Sequence, residues 1–199
     1  MKPVGLFDMD GTLFEYVETL RKDMRALMSP GEQEPEDLFD ENKPYLKARM
    51  DLIKSVPGWW LRLPPLRLGW NVWHLAQRLG FENQILTKGP RSKPLAWAEK
   101  AECIHHWFGS DITINIVGKD KDAYYGRFLC DDYIPYIEGW LAHRPRGLGI
   151  MVAAKHNEGY SNPNVIRFHG HNLDEVERAL TAVYKRGPKE HWRDYLEDR

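Results

Sequence analysis

Short apolar runs alternate along this chain with longer stretches in which apolar positions recur every three or four residues. Residues 3–8 form a brief apolar run ending in an acid, the pattern of a buried parallel strand that delivers its last residue to a sheet edge. Tyr16, Leu20, Met24, Leu27 and Met28 then fall at helical spacing and predict a helix over 15–28, broken by Ser29-Pro30-Gly31. Six acids between 32 and 41 read as a solvated connection. Leu46, Met50 and Ile53 predict a second helix over 43–54, ended by Pro57-Gly58. Beyond Pro64-Pro65, the residues Val72, Ala76 and Leu79 define a helix closed by Gly80, and 84–87 reads as the next strand. A helix over 92–108, with Trp97, Ala101, Ile104 and Phe108 on one face, precedes strands at 112–117, 127–131, 149–153 and 165–168. Asn172, with Glu175 three residues on, predicts a capped last helix bearing Val176, Leu180 and Val183.

Strands alternating with helices predict an α/β protein, a Rossmann-like three-layer core whose parallel sheet is covered on both faces. A small helical cap is inserted after the first strand, so the expected organisation is a core of 1–14 and 78–199 with 15–77 as the cap. The length of 199 residues fits one such domain with its insertion. With 28 basic against 29 acidic side chains there is no overall field to hold a polyanion, and no stable nucleic-acid complex is expected. Cys103 and Cys130 have no CxxC spacing and are too few to staple a secreted fold, and no apolar run is long enough to span a membrane. A reducing, cytoplasmic setting with free thiols and no membrane contact is the expectation; a homodimer is compatible with the sequence.

In open α/β sheets the ligand site lies beyond the carboxyl ends of the strands. Here the first strand ends in Asp8-Met9-Asp10-Gly11-Thr12, the second in Thr87, and a later one in Asp131-Asp132, with Lys121 in the charged loop before it. Carboxylates gathered at one edge repel one another unless a cation sits among them, and an oxygen-only donor set suits Mg²⁺. A calcium loop is disfavoured, because Gly11 stands at its fourth position rather than its sixth and Thr19 stands where Glu is needed. Cys103 with His105 and His106, and His169 with His171, lack the four ligands of a zinc site.

The order DxDGT, Thr, Lys, then DD resembles the haloacid dehalogenase superfamily of phosphatases, over residues 3 to about 157. Receiver domains use similar groups in another chain order. Pro57-Gly58-Trp59-Trp60, Lys93 to Trp97, Asp120-Lys121 and His156-Asn157 are similar to motifs of the 5'(3')-deoxyribonucleotidases within that superfamily. Two stretches depart from them: Thr87 is followed by Lys88-Gly89-Pro90 where Ser-Pro is usual, and Tyr133-Ile134 follows the acid pair where a basic residue is common.

The resemblance implies a Mg²⁺-dependent phosphomonoester hydrolase acting on (deoxy)nucleoside monophosphates through an aspartyl-phosphate. Asp8 is the implied nucleophile and Asp10 the acid and base. Asp8, the Asp10 carbonyl and Asp132 are the implied metal ligands. Thr87, Lys121, Gly11 and Thr12 are expected at the phosphate, with Asp131, Lys93 and Lys88 in support. Between Lys93 and Lys121 as the phosphate lysine, adjacency to the acid pair favours Lys121. Trp59 and Trp60 are expected to stack on the base, against the alternative that both rings pack the cap on the core. A polynucleotide 3'-phosphatase, a small-metabolite phosphatase and a nucleotide sensor without turnover are the competing functions.

Overall fold

The structure, a computed structural model, describes residues 2–91 and 93–196. Six strands form one all-parallel sheet: β1 (Val4–Phe7), β2 (Glu82–Lys88), β3 (Ile114–Val117), β4 (Phe128–Asp131), β5 (Leu148–Val152) and β6 (Val165–Phe168), in the order β3-β2-β1-β4-β5-β6. The chain runs outward from β1 through β2 to β3, then returns to pair β4 on the other side of β1. That reversal opens a crevice between the carboxyl ends of β1 and β4. Register brings Phe7 opposite Cys130, and the Asp8 N–H donates to the Cys130 carbonyl at 2.9 Å, so Asp8 and Asp131 leave the sheet side by side.

Alternate strand residues feed two separate cores, as the period of two requires. Phe7, Ile85, Cys130 and Ile150 face one way, into a layer that includes α6 (Leu173–Lys185). Leu6, Leu86, Leu129 and Met151 face the other, against Ile137 and Trp140 of α5 (Ile134–Ala142). The remaining helices are α1 (Tyr16–Arg25), α2 (Pro44–Ile53), α3 (Arg67–Arg78) and α4 (Pro94–Phe108).

Most expected elements are present within a few residues of their expected bounds; Ser92, expected to begin α4, lies outside the described residues. Four features differ from expectation, the last of them the place of α3. Helix α5 escaped the sequence because Pro135 and Gly139 interrupt a nearly continuous apolar run, although Pro135 sits where the first turn tolerates it. Asn172 precedes α6 without capping it; its amide bonds instead to the Arg167 carbonyl and to Glu175, while its oxygen accepts the His169 N–H. The acidic connection is strapped rather than merely solvated, since Glu32 pairs with Arg49, Glu34 with Arg25, and Leu38 is buried.

Helix α3, expected within the cap, lies on β2 and α6 and belongs to the layer covering the sheet. Its approach to the loop after β1 is extreme, because a Cβ on Gly69 would stand 1.9 Å from the Thr12 carbonyl oxygen. Bonds from the Leu66 N–H and the Trp70 indole to the Leu13 carbonyl, at 2.8 and 3.0 Å, lock the same contact.

Candidate active site

The crevice gathers four carboxylates and two lysines. Lys121 Nζ lies 2.6 Å from Asp8 Oδ1 and 2.7 Å from Asp131 Oδ2. Burial works against its charge, but the flanking Asp131 and Asp8 hold its pKa above the ordinary lysine value. Asp131 is otherwise occupied, its second oxygen accepting the Tyr133 N–H at 2.9 Å. One lysine cannot neutralise every acid around it. Burial, with Asp8 and Asp132 close by, lifts the Asp131 carboxyl to about 7 despite Lys121.

Asp132 is fixed from three sides. Thr12 Oγ1 donates to one carboxylate oxygen at 3.3 Å, His156 Nε2 lies 3.1 Å from the other, and Asn157 Nδ2 donates to the Asp132 carbonyl at 2.8 Å. The bond to Asp132 raises the His156 pKa, favouring the charged imidazolium. Gly11 adopts φ +77°, and a Cβ there would fall 2.5 Å from Asp132 Oδ2, so this turn accepts only glycine. The Gly11 N–H is engaged with the Phe14 carbonyl at 2.9 Å, and the Thr12 hydroxyl is engaged with Asp132. Gly11 therefore contributes shape to the site, and its own N–H, expected at the phosphate, is not free for one.

Lys100 is a site residue that the motifs of the sequence do not point to. Fully buried on α4, its ammonium donates to Asp10 Oδ2, to Thr87 Oγ1 at 3.1 Å and to the Lys88 carbonyl at 2.8 Å, and it lies 4.6 Å from the centre of the Trp60 ring. Burial raises the Asp10 carboxyl to about 6 against the pull of Lys100. Its other oxygen, Oδ1, is buried with no hydrogen-bond partner among the described residues. An acid held in this way can carry a proton near neutral pH and deliver it into the crevice.

Lys93 lies elsewhere. Its Nζ donates to the Asp51 carbonyl at 2.6 Å, tying α4 to α2, so Lys121 is the one of the two lysines that reaches the acid cluster. Lys88 is exposed at the rim, with Nζ 5.6 Å from the centre of the Tyr136 ring.

The expected stacking surface is not there. Trp59 and Trp60 are 0% and 3% exposed, pack edge-to-face on each other, and the Trp60 ring is covered by Tyr16 on one side and by Lys100. Glu99 accepts the Gly58 N–H at 2.7 Å and the Trp60 N–H at 3.3 Å, pulling the turn down onto α4. No ring face is left for a base. Trp60→Ala is accordingly expected to cost about 3–5 kcal/mol of stability, the range for emptying a core tryptophan site. Denaturant unfolding checks this, and a loss below about 1 kcal/mol would contradict the burial.

Asp8, Asp131 and Asp132 can each offer a carboxylate oxygen within 4.8 Å of the others. Two of these buried acids share Lys121 and the third pairs with His156; with only oxygen donors and Asp131 lifted in pKa, they form a site that a small hard divalent cation would relieve. Next to His156, which pairs with Asp132, a cavity of about 300 Å³ lies between Arg21 of α1, Phe39 of the acidic connection and Lys155–His156 of the core. Cys103 and Cys130 are free and buried, and burial pushes the Cys103 thiol up to about 12, so neither is a nucleophile near neutral pH.

No family model matches the chain, and no curated protein matches it in sequence. Among solved structures it is similar to YfnB from Bacillus subtilis, described as a HAD (haloacid dehalogenase-type) hydrolase bound to magnesium. The TM-score is 0.53 at 12% identity, over 90% of this chain and 98% of that one. It is likewise similar to a family IA, variant 3 HAD hydrolase from Entamoeba histolytica, with TM-score 0.50 and 16% identity over 94% and 100% of the two chains. The six-stranded parallel sheet and its covering helices are thus a Rossmann-like fold of the haloacid dehalogenase type. Among the described residues no helix is long and apolar enough to cross a membrane.

Proposed function

We propose that this protein is a Mg²⁺-dependent phosphomonoester hydrolase working through an aspartyl-phosphate on Asp8. The observation that carries this reading is the placement of Asp8 beside Lys121, with Asp10, whose pKa burial raises, two residues on. Asp8 is the group at the sheet edge able to attack phosphorus in line, while Lys121 balances charge on the phosphoryl oxygens. Asp10 would protonate the leaving oxygen and afterwards take a proton from the water that hydrolyses the acyl phosphate. Thr87, fixed by Lys100, presents a hydroxyl to the same phosphate. Asp8, Asp132 and the Asp10 carbonyl would hold Mg²⁺, with Asp131 orienting the set. The ion, when bound, supplies Lewis-acid polarisation and neutralises the phosphate.

Residues 15–66 are read as the cap. The cavity between α1, Phe39 and His156 is its meeting place with the core, and at about 300 Å³ it sits at the small end of ligand pockets. A (deoxy)nucleoside monophosphate is the proposed substrate, supported by the deoxyribonucleotidase-like motifs. Burial of both tryptophans favours a second reading, a smaller phosphorylated metabolite. Phosphate release is to be screened across nucleoside monophosphates, sugar phosphates and a 3'-phosphorylated oligonucleotide, with Mg²⁺ and with a chelator. Activity on monophosphates that disappears reversibly in chelator is expected. Undiminished turnover in chelator would refute the metal-dependent reading, and preference for sugar phosphates would select the second substrate class.

A further inference from the structure

A second cavity, of about 510 Å³, lies at the opposite end of the sheet, where Arg127 leads into β4 and Gly147 precedes β5. The four residues of β4, at roughly 3.3 Å each, put about 13 Å of strand between it and the acid cluster. Its wall contains Arg127, Arg144, Arg146 and Arg186, and Asp122 is the single carboxylate among its described lining residues.

The arginines are held in place by neutral groups. Arg127 Nη1 donates to the carbonyls of Val183 and Arg186 at 3.0 and 2.6 Å, Arg146 Nη1 donates to the Pro188 carbonyl at 2.7 Å, and Arg144 Nη1 donates to the Asp122 carbonyl. Carbonyls orient a guanidinium without cancelling its charge. Arg186 is only 7% exposed, and its Nε has no hydrogen-bond partner among the described residues; the buried Nε of Arg144 is equally unpartnered. A buried donor left unmet is costly, and a guanidinium whose charge is not cancelled matches the paired oxygens of a phosphate. Burial, then the charge of Arg127, lowers the Arg186 pKa, which reports the same crowding of like charge.

We propose that this cavity binds a small polyphosphate anion, either inorganic triphosphate or the triphosphate of a nucleotide, at a site separate from Asp8. Several guanidiniums against one carboxylate call for several negative charges on one ligand, and the volume lies within the range of small-molecule sites. Tyr125, lining the same cavity and 66% exposed, offers an aromatic surface on which a base could stack.

The test is calorimetric titration of the full chain with inorganic triphosphate in chelator. Saturable binding is expected, weakened about tenfold or more by Arg146→Glu, whose exposed side chain can change without disturbing the core. Arg144→Glu provides a second, independent variant. ATP is the other arm: tighter binding than triphosphate, lost in Tyr125→Ala, assigns the site to a nucleotide, and equal affinity assigns it to inorganic polyphosphate, both supporting the proposal. Absence of saturable binding at millimolar ligand would overturn it. So would binding that survives both arginine variants yet is lost in Lys121→Met, or a single-stranded oligonucleotide binding more tightly than triphosphate.

Discussion

Asp8→Asn is expected to lower kcat by roughly four orders of magnitude, a barrier increase of about 5.5 kcal/mol, with the fold intact. The amide keeps the shape of the carboxylate but is a far poorer nucleophile towards phosphorus, and it takes one negative charge from the proposed metal site. Folding tolerates the change because Lys121 keeps Asp131 as a partner at 2.7 Å, and loss of the Asp8 charge relieves a repulsion that raises the Asp131 pKa. Two measurements check this, steady-state turnover of the best substrate and a melting curve. Residual activity within about tenfold of the parent would mean that no covalent step passes through Asp8. Recovery of phosphate label on Asp8 after acid quench of the parent enzyme would show the intermediate directly.

Lys100→Met should have the next largest effect, and it should depend on pH. Lys100 is the cation facing Asp10, it anchors the Thr87 hydroxyl, and it closes one side of the Trp60 ring. Removing one partner of a buried pair strands the other, at a cost of about 3–5 kcal/mol if Asp10 stays ionised. Asp10 can escape by binding a proton. Its folded pKa, already raised from 3.8 to about 6, rises further without Lys100, because Lys100 pulls it down. A group whose folded pKa exceeds its unfolded one contributes stability that is present below the unfolded value and lost as pH rises through the folded value. In chelator, the variant should therefore melt close to the parent near pH 4–5 and fall progressively below it above pH 6. A melting deficit that stays constant across this range would mean that the loss is packing alone. Activity should drop about 10²-fold or more, because both the acid and the Thr87 hydroxyl lose their anchor.

The contrast between Lys121 and Lys100 shows what was legible in the sequence. Lys121 stands in a charged loop just before a strand that ends in two acids, and strand ends converge in a parallel sheet, so chain order alone places it. Lys100 stands inside a helix, where lysine is ordinary. The available signal was positional: residue 100 shares a helical face with Ala96, Cys103 and Ile104, all buried, so a charge there needs a buried partner. The tryptophan pair failed for a different reason. A proline-glycine turn fixes where Trp59 and Trp60 sit in the chain, but whether their rings meet a cleft or a core depends on Glu99 and Tyr16, residues 41 and 44 positions away from the turn's Gly58 and from Trp60. Such contacts have no local signature. The strands were legible because each is an apolar run bounded by turn residues, whereas α5 is apolar around most of its circumference and carries no helical stripe to read.

The clasp between Gly69 and Thr12 bears on how mutational tolerance in this chain should be interpreted. In a saturation library selected for function, position 69 should reject even alanine, because a single added methyl group would drive α3 away from the loop that carries Thr12, and Thr12 steadies Asp132. Intolerance at 69 would then look like that of a catalytic position, although glycine has no side chain to offer a substrate. A map of essential positions in this chain would therefore mark two populations with one colour, those that handle phosphate and those whose smallness lets a helix come near enough to brace them.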